Sequence, residues 1–413
     1  MIENPRQGIR KNVSRPGGRN TSRINNTAAT KQASKKKPRK PYIEVTVYKS
    51  EVDRIFLLLV ISLLCMGTVM IFSASYANAL EFFGDSYYFA KKQIIFALFG
   101  IAVMIAASYF AKYTILEKWT VLFFAGVLIL NYLTPFIGKV TNGAPRWFPL
   151  PFIGTVQPSE LLKLAVVLLF AFYITRIGDK MKTFVWGIGV PGIIIISIIG
   201  AMYLQSHFSG LIIIAAICAF IIFIGEAPIK WLVGFAATGA IGVAGIINFT
   251  EYASSRVQMW QDPFQDPSGA GYQIIQSLYA IGSGGLTGLG WGQSRQKYLY
   301  LPEPQNDFIF SIICEEMGFV GALLIISLFI VLIWRGFVIA YHAPNKFSSL
   351  VVMGIIIKVA IQFLLNIAVV TNTVPNTGIS LPFFSYGGTA LIVLMFEMGI
   401  ILSISRYSYE EKP

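Results

Sequence analysis

The stretch Ile55–Ser75, "IFLLLVISLLCMGTVMIFSAS", decides how the rest of the chain is read. It runs for 21 residues without a charge. At about 1.5 Å of helical rise per residue it covers roughly 30 Å, the thickness of a bilayer's hydrocarbon core. Similar apolar segments recur near 93–110, 118–136, 159–175, 185–204, 208–224, 229–247, 308–333, 350–371 and 384–404. Composition agrees: 55% of the residues are hydrophobic and 13% charged, where a soluble domain is about a quarter charged. The sequence therefore predicts an all-α polytopic membrane protein with about ten transmembrane helices. The first apolar run is of full spanning length and lies far from the N-terminus, so it is not a cleavable signal peptide.

The formal charge of +13 is unevenly spread. Residues 1–54 hold 14 Lys/Arg and 4 Asp/Glu, a surplus of +10, so the remaining 359 residues carry only +3. This head, with "KKKPRKP" at 35–41, lacks apolar periodicity and reads as a disordered basic cytoplasmic tail that orients the chain and touches anionic lipid. No nucleic-acid partner is expected. The expected organisation is tail 1–54, membrane domain 55–405 and a short tail 406–413, with both termini cytoplasmic. Cys65, Cys218 and Cys314 have no metal or disulfide spacing and read as small apolar side chains. His207 and His342 are too far apart for a metal cluster.

On this threading the polar chemistry faces outward. A long extracellular loop, 248–307, separates the seventh and eighth segments, and long ordered loops in compact proteins are usually functional. Two further outer stretches are rich in glycine and proline: "GKVTNGAPRWFPLPFIGTVQPSE" at 138–160 and "TNTVPNTGISLPFFSYGG" at 371–388. Charged residues inside apolar segments cost roughly 2.5–3.5 kcal/mol each by insertion scales and so face a cavity or a partner. Glu160 and Lys163 are three apart, share a helix face and can pair. Lys358 and Glu397 lie deeper, and Glu315 and Glu316 follow Asp307 by about two helical turns. "GSGGLTGLGWG" at 282–292 looks like a nucleotide loop but follows no strand, so tightly turned or flexible backbone is the better reading. Asp307 stands where a polar loop meets an apolar run, and on spacing alone it reads as a helix N-cap.

Several motifs together resemble the SEDS family (shape, elongation, division and sporulation), which includes FtsW, RodA and SpoVE. They are "FSAS" at 72–75, "GAPRWFPLP" at 143–151, "QPSELLKL" at 157–164, the run from Asp262 to Gly321, and "VPNTGISLPFFSYGGTALI" at 374–392. The loop "QKYLYLPEPQNDFIF" is closer to FtsW and SpoVE than to RodA. The resemblance implies a peptidoglycan glycosyltransferase that polymerises lipid II on the outer face of a bacterial plasma membrane. It also implies a class B penicillin-binding protein, a transpeptidase, as partner. The family's essential aspartate falls on Asp307 and its Glu and Lys on Glu160 and Lys163. Two departures stand out. Gln305-Asn306-Asp307 replaces the commoner His-Thr-Asp, and "LQSHFSG" at 204–210 replaces Gln-Pro-Asp-Leu-Gly.

The residues also fit that chemistry on their own terms. A lipid diphosphate leaves as a stable anion, so the leaving group needs a cation rather than a proton, while the attacking hydroxyl needs one carboxylate base. Glycosidases need two carboxylates because their leaving group must be protonated. Here Asp307 is the expected base. Arg146, Glu160, Lys163, Lys297 and Lys358 are the expected substrate-binding or supporting residues. No cofactor is demanded by the residues, Mg²⁺ is compatible with the chemistry, and no metal ligand set is identified. Two other functions stay open on the sequence: a lipid II flippase using the buried charges, and a non-catalytic scaffold that recruits the transpeptidase.

Overall fold

The computed structural model describes residues 47–49, 51–141, 144–150, 154–231, 251–269 and 271–409, with five isolated positions between 233 and 245. Most of the basic head and most of the seventh apolar segment, 229–247, lie outside the described residues. Among the described residues eight helices are long and apolar enough to cross a membrane, and a shorter apolar one spans Phe208–Ile224.

In chain order the helices are α1 (Arg54–Phe83), α2 (Tyr88–Phe110), α3 (Tyr113–Ile137), α4 (Pro158–Ile177), α5 (Val190–Leu204) and α6 (Phe208–Ile224). After these come α7 (Glu251–Gln261), α8 (Tyr272–Ser283), α9 (Ile309–Tyr341), α10 (Lys346–Val370) and α11 (Gly388–Ser405). Local chemistry explains several of the ends. Asp53 caps α1 by accepting from the Phe56 N–H at 2.9 Å, and Gly84 closes the helix in the left-handed region at φ 67°. Pro158 opens α4, where its missing N–H costs nothing. Asn345 caps α10 through the Ser348 N–H at 2.8 Å.

Helices α4, α10 and α11 are the most enclosed, with α10 packed against α4, α6 and α9. Along α2, the α11 backbone comes so close that a Cβ on Gly399 would sit 2.6 Å from the Met104 carbonyl. Strand β1 (Val47–Lys49), before α1, pairs antiparallel with β5 (Tyr407–Tyr409), after α11. The two ends of the membrane domain therefore lie on the same side, which requires an even number of crossings. On the stretch 138–160, β2 (Lys139–Thr141), β3 (Ala144–Leu150) and β4 (Gly154–Val156) form a small antiparallel meander.

The segment expected as one long loop, 248–307, is helical in part. It contains α7 and α8, and α8 buries Ile274, Ile275, Ser277 and Ala280. The glycine-rich motif at 282–292 has a structural job. Helix α9 is broken at Gly318 (φ 64°, ψ −165°), which frees backbone groups on either side. The glycine loop pairs with them: Leu289 and Gly290 N–H donate to the Glu315 and Glu316 carbonyls, and Phe319 and Val320 N–H donate to Gly285 and Leu286. A Cβ on Gly288 would lie 2.1 Å from the Glu316 carbonyl, so only glycine permits this approach.

Candidate active site

Asp307 is held from three directions. Its carbonyl accepts from Asn366 Nδ2 of α10 at 2.7 Å, and the same amide donates to the Ile379 carbonyl at 2.8 Å. Two residues earlier, the Gln305 carbonyl accepts from the Tyr386 N–H at 2.8 Å, and Asn78 of α1 donates to Gln305 Oε1 at 3.3 Å. The loop is thus pinned to α1, α10 and the segment before α11. The helix-cap reading of Asp307 is not borne out. The cap position belongs to Phe308, no side chain caps the first turn, and the α9 helix begins one residue too late for Asp307.

The Asp307 carboxylate is half-buried and makes no ion pair among the described residues. It faces the 376–378 turn, where Gly378 sits at φ 65° and an added Cβ would lie 3.5 Å from Asp307 Oδ2. Desolvation pushes its pKa up to about 6, aided by the neighbouring Glu303 charge; its own backbone N–H and the Arg256 charge act the other way. A carboxyl tuned to that range is ionised at neutral pH yet basic enough to take a proton.

The other buried carboxylates are matched. Glu160 pairs with Lys163 at 2.6 Å, as the spacing predicts. Lys358 of α10 donates to both Glu397 oxygens of α11, at 2.7 and 2.6 Å. These two pairs lie close enough to influence each other, so four charges with no net sum tie α4, α10 and α11 together. Glu316 accepts from Ser73 at 2.6 Å and from Lys297 at 3.0 Å, and Glu315 accepts from the Ser294 hydroxyl and from the Arg295 and Gln296 N–H groups at 3.0 and 3.3 Å. Lys297 spends its ammonium on Glu316, on the Gly292 carbonyl at 2.6 Å and on Ser73 at 3.2 Å, and is only 2% exposed. It belongs to the clamp that seats the glycine loop, apart from the other predicted site residues.

Arg146, half-buried on β3, donates to the Gln205 and Ser206 carbonyls. Gln205 is anchored in turn, its amide donating to the Asn131 carbonyl at 2.8 Å. His207 follows, buried beside Arg146, Lys163 and Glu160, and its Nδ1 has no partner among the described residues. Burial and the Arg146 charge hold its imidazole neutral, down at about 3. Two residues on, the Ser209 hydroxyl donates to the Thr377 carbonyl, joining this loop to the turn that faces Asp307. The structure thus brings Arg146, Glu160, Lys163 and, below them, Lys358 into one polar column that connects to the Asp307 turn. Sequence reasoning passed over Asn366 and Asn376 and saw in Arg256 only one more outer cation; all three meet at the same turn. The signal for Arg256 and Asn376 was their position in polar segments flanking apolar runs, and for Asn366 an amide within the apolar run 350–371. Among the described residues no three His, Cys, Asp or Glu side chains converge on a metal position.

The pattern of the cell cycle protein family of FtsW, RodA and SpoVE matches residues 53–410. Stage V sporulation protein E of Bacillus subtilis (strain 168) is 40% identical over 370 residues, covering 88% of this chain and 100% of that relative. A probable peptidoglycan glycosyltransferase FtsW of Geobacter sp. (strain M18) is 36% identical over 356 residues, covering 86% and 96%. A chain of a solved peptidoglycan synthase complex superposes with a TM-score of 0.71 at 26% identity, covering 86% of this chain and 98% of that one. The rod shape determining protein RodA of Thermus thermophilus shares the fold, with a TM-score of 0.65 at 23% identity over 87% and 98%.

Proposed function

The chain belongs to the FtsW, RodA and SpoVE family of cell cycle proteins, and from that membership we propose that it polymerises lipid II into glycan strands with Asp307 as general base. It is a multi-pass bacterial membrane enzyme, a peptidoglycan glycosyltransferase. The reaction is placed on the outer face of the plasma membrane, because the cationic head orients the termini inward and the 248–307 segment then lies outside. A class B penicillin-binding protein is the proposed partner, in keeping with the resemblance to a chain of a synthase complex.

In the proposed step the acceptor sugar hydroxyl attacks the anomeric carbon of the donor. A glycosidic C–O bond forms, the bond from that carbon to the lipid diphosphate breaks, and the diphosphate departs as an anion. The hydroxyl proton passes to Asp307. Arg146 supplies positive charge for the diphosphate, and Glu160, Lys163, Lys358 and Glu397 hold the helices that frame it. Mg²⁺, if used, would add positive charge at the substrate's diphosphate, where such an ion keeps mostly phosphate and water oxygens as ligands; no residue of the chain is assigned to it.

One observation carries this reading. Glu160, Glu315, Glu316 and Glu397 are each neutralised or hydrogen-bonded, whereas Asp307 presents to a polar turn a desolvated carboxylate that has no ion pair among the described residues. The test is polymerisation of labelled lipid II by purified protein with its transpeptidase partner, comparing wild type, Asp307→Ala and Asp307→Asn. Long glycan from wild type and none from folded, partner-bound variants supports the base. Normal polymerisation by either variant removes Asp307 from the mechanism.

A further inference from the structure

Arg256 sits on α7, half-buried, within the stretch 248–307. Its guanidinium donates to the Asn376 carbonyl. Asn376 is a junction: its amide donates to Gln273 Oε1 of α8 at 3.3 Å, and its side-chain oxygen accepts from the Gly378 N–H at 3.1 Å. Gln273 in turn donates to the Pro302 carbonyl at 3.3 Å, five residues before Asp307. Gly378 is the residue whose missing side chain leaves room beside Asp307 Oδ2. One network therefore runs from Arg256 through the 376–378 turn to α8 and back to the loop that carries the carboxylate.

We propose that Arg256 is a positioning residue for Asp307, fixing the 376–378 turn against the carboxylate and supplying the positive charge that faces it. The inference rests on the reading of Asp307 as base and adds to it. Asparagine, glycine and backbone carbonyls cannot balance a carboxylate. Among the described residues the charged groups facing Asp307 are Glu303, from its own loop, and Arg256, from α7. The α10 side contributes the neutral Asn366, and the 376–378 turn contributes Asn376, Thr377 and Gly378. Glu303 disfavours the ionised base and Arg256 favours it, so the pair sets how much of the enzyme is competent at a given pH. Arginine suits both tasks, since its planar fork fixes a carbonyl while its charge persists at every working pH.

The experiment is the pH–rate profile of lipid II polymerisation, from pH 5 to 9, for the full chain with its transpeptidase partner. Arg256→Gln, Arg256→Lys and Asn376→Ala are compared with wild type, with Asp307→Ala in the same series. Loss of the cation makes Asp307 easier to protonate, so Arg256→Gln moves the acid limb up by about one pH unit. That is about a fivefold lower rate at pH 6, about tenfold at pH 5, and recovery toward the wild-type rate at pH 9. Arg256→Lys, which keeps the charge, returns the limb to its wild-type position. Asn376→Ala loosens the turn without touching the charge, and lowers kcat at every pH with the limb unmoved. Thermal unfolding of each variant separates these effects from misfolding, and where Arg256→Gln does not fold, Arg256→Lys and Asn376→Ala carry the comparison. A uniform loss in Arg256→Gln at all pH values, an unmoved limb, or a wild-type rate in Asn376→Ala overturns the inference while Asp307 stands as base. Polymerisation by Asp307→Ala overturns both.

Discussion

Replacing Asp307 by asparagine should make the protein more stable at alkaline pH and no more stable at acid pH. The folded carboxyl is raised from an ordinary 3.8 to about 6, chiefly because burial disfavours the charged form. That rise corresponds to about 3 kcal/mol of penalty on the ionised state. The group is half-buried, and water screens part of the effect, leaving about 1–3 kcal/mol. Between about pH 4 and pH 6 the folded chain still holds a proton that the unfolded chain has released. Stability therefore falls as the pH rises through that window, and the full penalty applies above it. Asparagine has the same shape and no titration. The expected gain at pH 8 is about 2–6 °C in unfolding temperature, at about 2 °C per kcal/mol for a large chain, shrinking to nothing near pH 4. The assay is thermal unfolding in detergent or nanodiscs at pH 4, 6 and 8, with polymerisation measured on the same samples. A gain that is absent at pH 8, or equal at pH 4 and pH 8, refutes the claim that the fold strains this carboxylate.

Other perturbations have calculable directions. Lys358→Met strands the fully buried Glu397 charge and should cost about 3–5 kcal/mol, whereas Lys358→Met with Glu397→Leu should recover most of it; thermal unfolding of the three proteins decides. Gly318→Ala drives a Cβ to 2.3 Å from the Gly288 N at a positive φ and should cost about 3 kcal/mol or more, while Gly84→Ala, also at positive φ but in open space, should cost about 1–2 kcal/mol. Equal losses at the two glycines would contradict the account of the broken helix. Arg146→Ala should raise the KM for lipid II about tenfold, the value of a charged hydrogen bond, with little change in unfolding temperature.

Much of this architecture was legible because a span is a matter of composition and length. Twenty-one uncharged residues from Ile55 to Ser75 admit few folds, and Asp53, Pro158 and Asn345 mark helix starts by their own chemistry. The Glu160–Lys163 pair was legible because helical periodicity places i and i+3 on one face. Contacts between distant segments were not. Lys297 looked like one more outer cation, yet it is closed off by Glu316, 19 residues on, only because the glycine loop docks into the break at Gly318. Nothing local in "EEMGFVG" distinguishes a break from a packing glycine, since the break depends on Gly285 and Leu286 to satisfy it. The helix α8 was passed over inside a segment read as loop, although its apolar side chains at 274, 275, 278 and 281 carry helical spacing. The cap alternative for Asp307 misses by one position, because helix starts are ambiguous by a residue and the cap went to Phe308. That single-residue offset leaves the carboxylate free of the helix and open to the 376–378 turn.

The most direct test of the central claim is the acid limb of lipid II polymerisation by the wild-type protein with its transpeptidase partner. If Asp307 is the base, the rate should rise tenfold per pH unit below an inflection near pH 6 and level off above it. A rate that stays flat from pH 5 to pH 8, with substrate saturating and the protein folded throughout, would contradict the assignment.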